Sequence, residues 1–161
     1  TVFAKHLLIL ALCAAVPAHA ASAADAGRAP AVASVADAYQ PVDFARLVET
    51  SRTPVPGQKI ILRPTPVSFS ATLLQMPVAQ RSDYLRQVLA LMQSANTPKV
   101  EQRVVLGYAP DKGMPVYIEQ AAAQRLLREA KAGDRRRFYA LHVYNYSKGP
   151  ALVVTSFGPR E

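Results

Sequence analysis

Apolar residues recur at helical spacing in three stretches of the chain, residues 40–50, 77–95 and 119–132. In the first stretch they lie at i, i+3 and i+4, which predicts a short amphipathic helix. In the second the repeat is longest, and Pro77 is suited to the first turn of a helix. The third is rich in alanine, ends in basic residues and is followed by Gly133, so it predicts a helix with a left-handed cap.

Alternating or β-branched apolar runs, separated by turn residues, predict six strands. They cover residues 59–63, 67–74, 100–107, 114–118, 135–146 and 151–157. The first of them is bounded by Gly57 and Pro64. The fifth is apolar on both faces, so we expect it to lie inside a sandwich or a closed barrel rather than flat on solvent.

The order of these elements lacks the regular βαβ spacing of a parallel sheet and predicts an α+β fold. It resembles the OB-fold, a five-stranded Greek-key barrel that is plugged by a helix between its third and fourth strands. The segments that carry the resemblance are residues 44–47, GQKIIL at 57–62, VYIE at 116–119 and GDRRRFYALHVYNY at 133–146. The resemblance implies a small antiparallel β-barrel in which the helix at 77–95 is an insertion. It transfers no site residues, because a fold does not imply a function.

The first 20 residues are typical of a secretory signal. Lys5 lies in a basic start, an apolar run of about ten residues follows, and the triplet Ala18-His19-Ala20 fits a peptidase site. Since spanning a bilayer takes roughly 20 apolar residues, this run is too short for a transmembrane helix. We expect residues 1–20 to be removed, the mature chain to have no transmembrane segment, and the protein to be periplasmic or secreted.

Small residues and the lack of large aromatics indicate that residues 21–38 are a flexible leader, followed by one globular α+β domain over residues 39–161. Cleavage after Ala20 or after Ala23 satisfies the small-x-small rule. Lipidation at Cys13 is disfavoured, because the residue before it is not small.

Composition limits the chemistry available to the mature chain. The 161 residues carry 19 lysines and arginines against 11 aspartates and glutamates, a formal net charge of +8. Removal of the signal takes away Cys13 and leaves His142 as the only histidine. Disulfides, thiol nucleophiles and thiolate metal sites are therefore excluded, and we expect no metal and no cofactor because neither ligand clusters nor glycine-rich nucleotide motifs occur.

Basic residues around the end of the third helix are the first candidate binding surface. They lie at the end of that helix and at the start of the next strand, where they can contact an anionic partner such as nucleic acid, lipid headgroups or an acidic protein. The alternative interpretation is a solvated face that only aids solubility. The residues are Arg125, Arg128, Lys131, Arg135, Arg136 and Arg137.

The turn after strand 135–146 is the second candidate surface. Tyr144, Tyr146 and Lys148 lie at or near a hairpin tip, where tyrosines give rigid amphipathic area for binding. Residues of these types are equally common where a turn only closes a barrel.

These observations favour a binding or interaction module of the bacterial envelope over an enzyme. Its expected partner is another envelope protein or an anionic polymer, and nucleic acid is less accessible to an exported protein. Two alternatives stay open, a small periplasmic hydrolase that uses His142 as a base and a structural component of a secretion or surface assembly. His142 has no nucleophile or carboxylate near it in sequence, which favours a structural role for its ring.

Overall fold

The computed structural model describes residues 35–92 and 97–161. The predicted signal over residues 1–20, and all but the last four residues of the predicted leader over 21–38, lie outside them. A 3₁₀ turn at Val35–Ala38 precedes β1 (Gln40–Pro41), α1 (Phe44–Thr50), β2 (Ile60–Ala79), α2 (Asp83–Leu91), β3 (Val100–Ala109), β4 (Lys112–Glu119), α3 (Gln120–Glu129), β5 (Arg135–Tyr146) and β6 (Gly149–Arg160). The described part of the chain is therefore α+β, with a six-stranded mixed sheet and three α-helices.

Five strands form a closed circuit of pairings. β2 pairs with β3, β3 with β4, β4 with β6, and β6 with β5, which pairs back with β2. The β4–β6 pair is parallel and covers two residue pairs, Tyr117 with Val153 and Ile118 with Val154. β1 also pairs parallel to β2. The sheet is mixed, where the sequence predicted an antiparallel one, and its strands ring a common interior.

β2 closes this ring by changing its partner along its length. Its residues 60–72 pair with β5, and its residues 72–79 pair with β3. Thr72 belongs to both sets, opposite Arg135 on one side and Gly107 on the other. Ala71 and Leu73 on either side of it are fully buried. One 20-residue strand therefore replaces the two strands that the sequence predicted.

Two prolines lie within β2 without ending it. Pro64 falls in the irregular stretch between Ile61 and Thr65, where the register with β5 shifts. Pro66 lies two residues before Ser68, whose carbonyl accepts the N–H of Val42 at 2.9 Å, on the edge away from β5. Because backbone groups two residues apart face the same edge, Pro66 loses no hydrogen bond to β5.

The helix predicted from Pro77 begins later. Pro77 lies inside β2, and α2 begins at Asp83, where the Ser82 side chain accepts the N–H of Leu85 at 3.1 Å. A serine N-cap of this kind satisfies a donor that has no partner within the helix. Residues 93–96, which follow Met92, lie outside the described part.

Helices α1 and α3 lie at opposite ends of the ring. At the start of β6, a Cβ on Gly149 would lie 3.1 Å from the carbonyl oxygen of Val48, tighter than an ordinary contact, and the φ of +132° there also disfavours any other residue. Near the end of β6, Arg125 of α3 donates to the carbonyl of Phe157. Phe44 stacks on Phe69 with ring centroids 4.2 Å apart, so α1 contributes to the same core as the strands.

α3 ends at Glu129, earlier than predicted, because Ala130 is already extended. Gly133 does have a positive φ of 94°, but it serves the turn into β5, where its N–H donates to the carbonyl of Leu73 at 2.7 Å.

α2 covers the outside of the ring and forms a second core there. Leu85, Val88 and Leu89 pack with Val143 of β5 and Val153 of β6. The inner face of β5 meets the first core instead. Both faces of this strand are therefore apolar because each is covered by a different layer. No helix within the described residues is both long enough and apolar enough to cross a bilayer.

We expect Pro66→Thr to promote self-association. No strand of the described residues pairs with residues 60–66 on the edge away from β5, and the substitution adds an N–H donor to that edge, where proline suppresses edge-to-edge pairing. Light scattering after gel filtration over a concentration series measures the effect. Thr65→Val is the control, since it raises strand propensity without adding a donor. Equal behaviour of the two variants would show that the proline does not protect this edge.

Candidate binding groove

The outer face of the β3–β4 hairpin presents polar and aromatic side chains. Along β3 the buried positions are Val104 and Leu106, and along β4 they are Val116 and Ile118. Because side chains alternate along a strand, the residues between them face outward. They are Arg103 opposite Tyr117, Val105 opposite Pro115, and Gly107 opposite Gly113.

Three depressions lie along this face and share lining residues. The first, of about 720 Å³, lies between the start of α1, β2 and the β3–β4 turn, and Leu74 and Tyr108 help to line it. Tyr108 also lines the second, of about 270 Å³. The second shares Pro115 and Lys148 with the third, of about 160 Å³. Together they form an extended surface groove, which we call the hairpin groove.

Cations and tyrosines line the second and third depressions, and no carboxylate does. Lys148 is exposed at the β5–β6 turn. Arg52, from the segment after α1, donates to the Tyr108 hydroxyl at 3.2 Å and to Glu49 at the same distance. Arg103 has a buried Nε without a hydrogen-bond partner in the described structure. An unpartnered buried donor is unusual in a folded protein.

Tyr146 of the hairpin groove stays neutral near pH 7. Burial raises the pKa of Tyr146, nearby Tyr117 raises it further, and the charge of Arg103 only partly offsets these effects. A neutral phenol donates as well as accepts hydrogen bonds, and its ring offers a flat apolar face. The groove therefore offers fixed positive charges together with hydroxyls and aromatic surface.

Of the predicted turn surface, Tyr146 and Lys148 line the hairpin groove, but Tyr144 does not. Tyr144 is 4% exposed, and its ring packs edge-on against Tyr84 of α2 at 5.0 Å. Burial and a hydrogen bond with Tyr117 raise its pKa far above the ordinary value. Its role is to anchor α2 to the ring, so its side chain is not a surface contact for a partner.

Arg136, which the sequence placed in the basic surface, is also buried. It is 7% exposed, forms an ion pair with Asp134 at 3.3 Å, and donates to the carbonyls of Glu129 and Gly158. Burial opposes ionisation of Asp134, but the N–H of Lys131 and the guanidiniums of Arg136 and Arg160 hold the pKa of this carboxyl below its usual range. Arg136 joins the end of α3 to β6.

The other predicted cations remain on one end of the ring, but acidic partners offset several of them. Arg125 stacks on Phe157 at 3.9 Å and pairs with Glu129 at 3.3 Å. Arg135 and Arg137 both pair with Glu161, at 3.4 Å and 3.8 Å. Arg128 and Lys131 are exposed. The cluster is therefore basic but less so than its sequence suggests.

His142 is a core residue. It is 8% exposed, and its Nε2 lies 2.7 Å from Asn145 Oδ1. With the amide oxygen accepting, Nε2 carries the hydrogen and donates. Burial lowers the pKa of His142, and the bond to Asn145 offsets this only in part. Among residues 35–92 and 97–161, no three potential metal ligands lie close enough together to hold an ion.

Sequence reasoning missed Arg52, Arg103, Tyr108 and Tyr117. The alternation in β3 does place Arg103 on the polar face, but only the pairing of β3 with β4 brings it opposite Tyr117. Lys148 lies in the β5–β6 turn, distant in sequence from β3 and β4, yet it lines the same depression as Arg103.

Comparison of the chain with protein-family models, with curated proteins and with solved structures gives no match.

Stability is expected to fall when the pH is lowered from about 7.5 to about 5. The pKa of His142 is lower in the folded chain than the ordinary value of 6.5, so the unfolded state binds the proton more readily. The contribution of neutral His142 to the stability of the folded chain is therefore complete above about pH 6.5, and it is lost as the pH falls from there towards the folded pKa. Urea denaturation at several pH values measures it, and His142→Gln should flatten the dependence. An unchanged slope in that variant would show that another group is responsible.

Arg136→Gln should destabilise the chain far more than Arg128→Gln. The first removes a buried guanidinium and leaves the Asp134 carboxylate and two carbonyls without it, whereas Arg128 is exposed. Midpoints of urea denaturation compare the two variants, which lose the same charge. Equal midpoints would mean that Arg136 contributes only its charge.

Proposed function

We propose that the domain is a non-catalytic binding module that holds an extended anionic polymer in the hairpin groove. One observation carries the proposal: the second and third depressions share Pro115 and Lys148 and are lined by Arg52, Arg103 and Lys148 without any carboxylate. Such a group of charges attracts a polyanion, and an elongated groove suits a chain rather than a compact small molecule.

The tyrosines favour a polymer with rings in its repeating units. Tyr108, Tyr117 and Tyr146 lie beside the cations and are half-buried, so their positions are fixed before a ligand arrives. Aromatic faces stack on flat ligand groups, while the phenol hydroxyls bond to polar substituents. Because the predicted signal would export the chain, we favour an acidic glycan over single-stranded nucleic acid.

The order of strand pairing supports an OB-like barrel as the finer description of the fold. With β1 set aside, β2 to β6 are the first to fifth strands of the ring. The first strand (β2) pairs with the second (β3) and the fourth (β5), and the third (β4) pairs parallel with the fifth (β6). α3 lies between the third and fourth strands of this set, and α2 lies between the first and second. OB-folds bind polymers on the face of strands two and three, between two loops. The hairpin groove lies on the corresponding face, which is support by analogy only.

The other candidate functions receive less support from the geometry. A hydrolase built on His142 needs its ring to reach a substrate, but the ring is buried and bonded to Asn145. Docking of a folded envelope protein is favoured where charged residues are depleted at the centre of the surface, whereas Arg52, Arg103 and Lys148 line the described groove.

Binding of an oligogalacturonate tests the proposal. We expect saturable binding that weakens steeply between about 50 and 300 mM salt, as charge-dominated contacts do. Arg103→Gln and Lys148→Gln should each weaken it by about two- to tenfold, in line with the loss of one hydrogen bond that contributes about 0.5–1.5 kcal/mol. Isothermal calorimetry or fluorescence anisotropy gives the affinities.

Arg128→Gln is the matched control, since it removes the same charge from an exposed residue outside the groove. A neutral glucan and a single-stranded oligothymidylate are the ligand controls. Preference for the oligothymidylate would reassign the ligand to nucleic acid. Equal effects of all three substitutions, or no binding of either polyanion, would refute the groove as the binding surface.

A further inference from the structure

Two neighbouring strands bring a hydroxyl and two guanidiniums together at the end of the first depression. On β2, Ser70 lies opposite Arg137 of β5, and Thr72 lies opposite Arg135. Arg136 between them is buried, so Arg135 and Arg137 point outward together. Ser70, Thr72 and Arg135 all line the first depression of the hairpin groove. The neighbouring outward positions thus form a compact polar group at one end of that groove.

The carboxylate of Glu161 lies on this group. Its Oε1 accepts the Ser70 hydroxyl at 2.6 Å and lies 3.8 Å from Nε of Arg137, and its Oε2 lies 3.4 Å from Nε of Arg135. The N–H of Glu161 donates to the carbonyl of Arg135 at 2.9 Å, which fixes where the side chain starts. One carboxylate therefore receives one short hydrogen bond and two longer ionic contacts.

These ionic contacts are loose. Charge-assisted bonds between a guanidinium and a carboxylate are usually about 2.7–2.9 Å long, and the bidentate form uses two parallel N–H groups of one arginine. Here each distance is longer, and the side chains of Arg135 and Arg137 are 58% and 49% exposed. Exposed pairs of this kind contribute little to stability, so another anion can replace the carboxylate at small cost.

We propose that Ser70, Arg135 and Arg137 form an anion-binding site for a carboxylate or phosphate group, and that Glu161 occupies it in place of the ligand. This inference rests on the proposed function in so far as the site would hold one acidic group of the polymer. The carboxylate of Glu161 acts as an internal competitor, so the affinity of the free site is higher than that of the closed one.

Titration with inorganic phosphate, followed by amide chemical shifts, tests the site without the polymer. We expect Glu161→Gln to bind phosphate about two- to fivefold more tightly than the unmodified chain, the range that one exposed ion pair allows. The shifts should centre on residues 70–72 and 135–137. The double variant Glu161→Gln with Arg135→Gln should lose the gain.

Glu129→Gln is the matched control, because it removes an equally charged partner of an exposed arginine at the same end of the ring. If it tightens phosphate binding as much as Glu161→Gln does, only net charge is at work and the site is refuted. An unchanged affinity in Glu161→Gln, or shifts centred elsewhere, would refute it as well.

A parallel titration with acetate separates the two ligand sources, since preference for acetate or for phosphate identifies the acidic group that the site accepts. The test is independent of the residues that line the second and third depressions, and Arg103→Gln should leave phosphate binding unchanged. Tighter phosphate binding by Glu161→Gln without any polymer binding would therefore refute the proposed function and support the site. Polymer binding without this tighter phosphate binding would refute the site and support the proposed function.

Discussion

The described structure depends on one strand that belongs to two pairings. β2 pairs with β5 up to Thr72 and with β3 from Thr72 onward, and this change of partner joins the strands into a ring. The interior of the ring is covered at its two ends by α1 and α3. The outer surface of the ring is covered in part by α2, which lies over β5 and β6. The outer face of the β3–β4 hairpin is left for the groove.

The distribution of charge follows from the same ring. Basic residues that are adjacent in sequence separate when they enter a strand, because alternation sends Arg136 inward and Arg135 and Arg137 outward. The inward one holds α3 to β6, and the outward pair meets Glu161. Conversely, Arg52, Arg103 and Lys148 are far apart in sequence but line neighbouring depressions. Proximity across strands, rather than density along the chain, therefore defines the surface that we propose for binding.

Hydrophobic periodicity predicted the α+β class, the limits of β5 and the existence of all three helices, since each of these follows from local spacing. It failed at β2, because Pro64 and Pro66 suggested a break between two strands. A proline breaks a strand only where both edges of the strand are paired. Hydrophobic periodicity also failed at Tyr144, whose hairpin position suggested exposure, because α2 covers it from a distant part of the chain. Arg103 and Tyr117 became neighbours only through strand register, which no single segment encodes.

We place the polymer along the β3–β4 hairpin rather than on the arginine-rich end of α3 and β5. Amide chemical-shift mapping with an oligogalacturonate distinguishes the two surfaces. We expect perturbations that run through residues 103–108, 113–117 and 146–148. Perturbations confined to residues 125–137 would contradict this placement and return the binding surface to the basic segment.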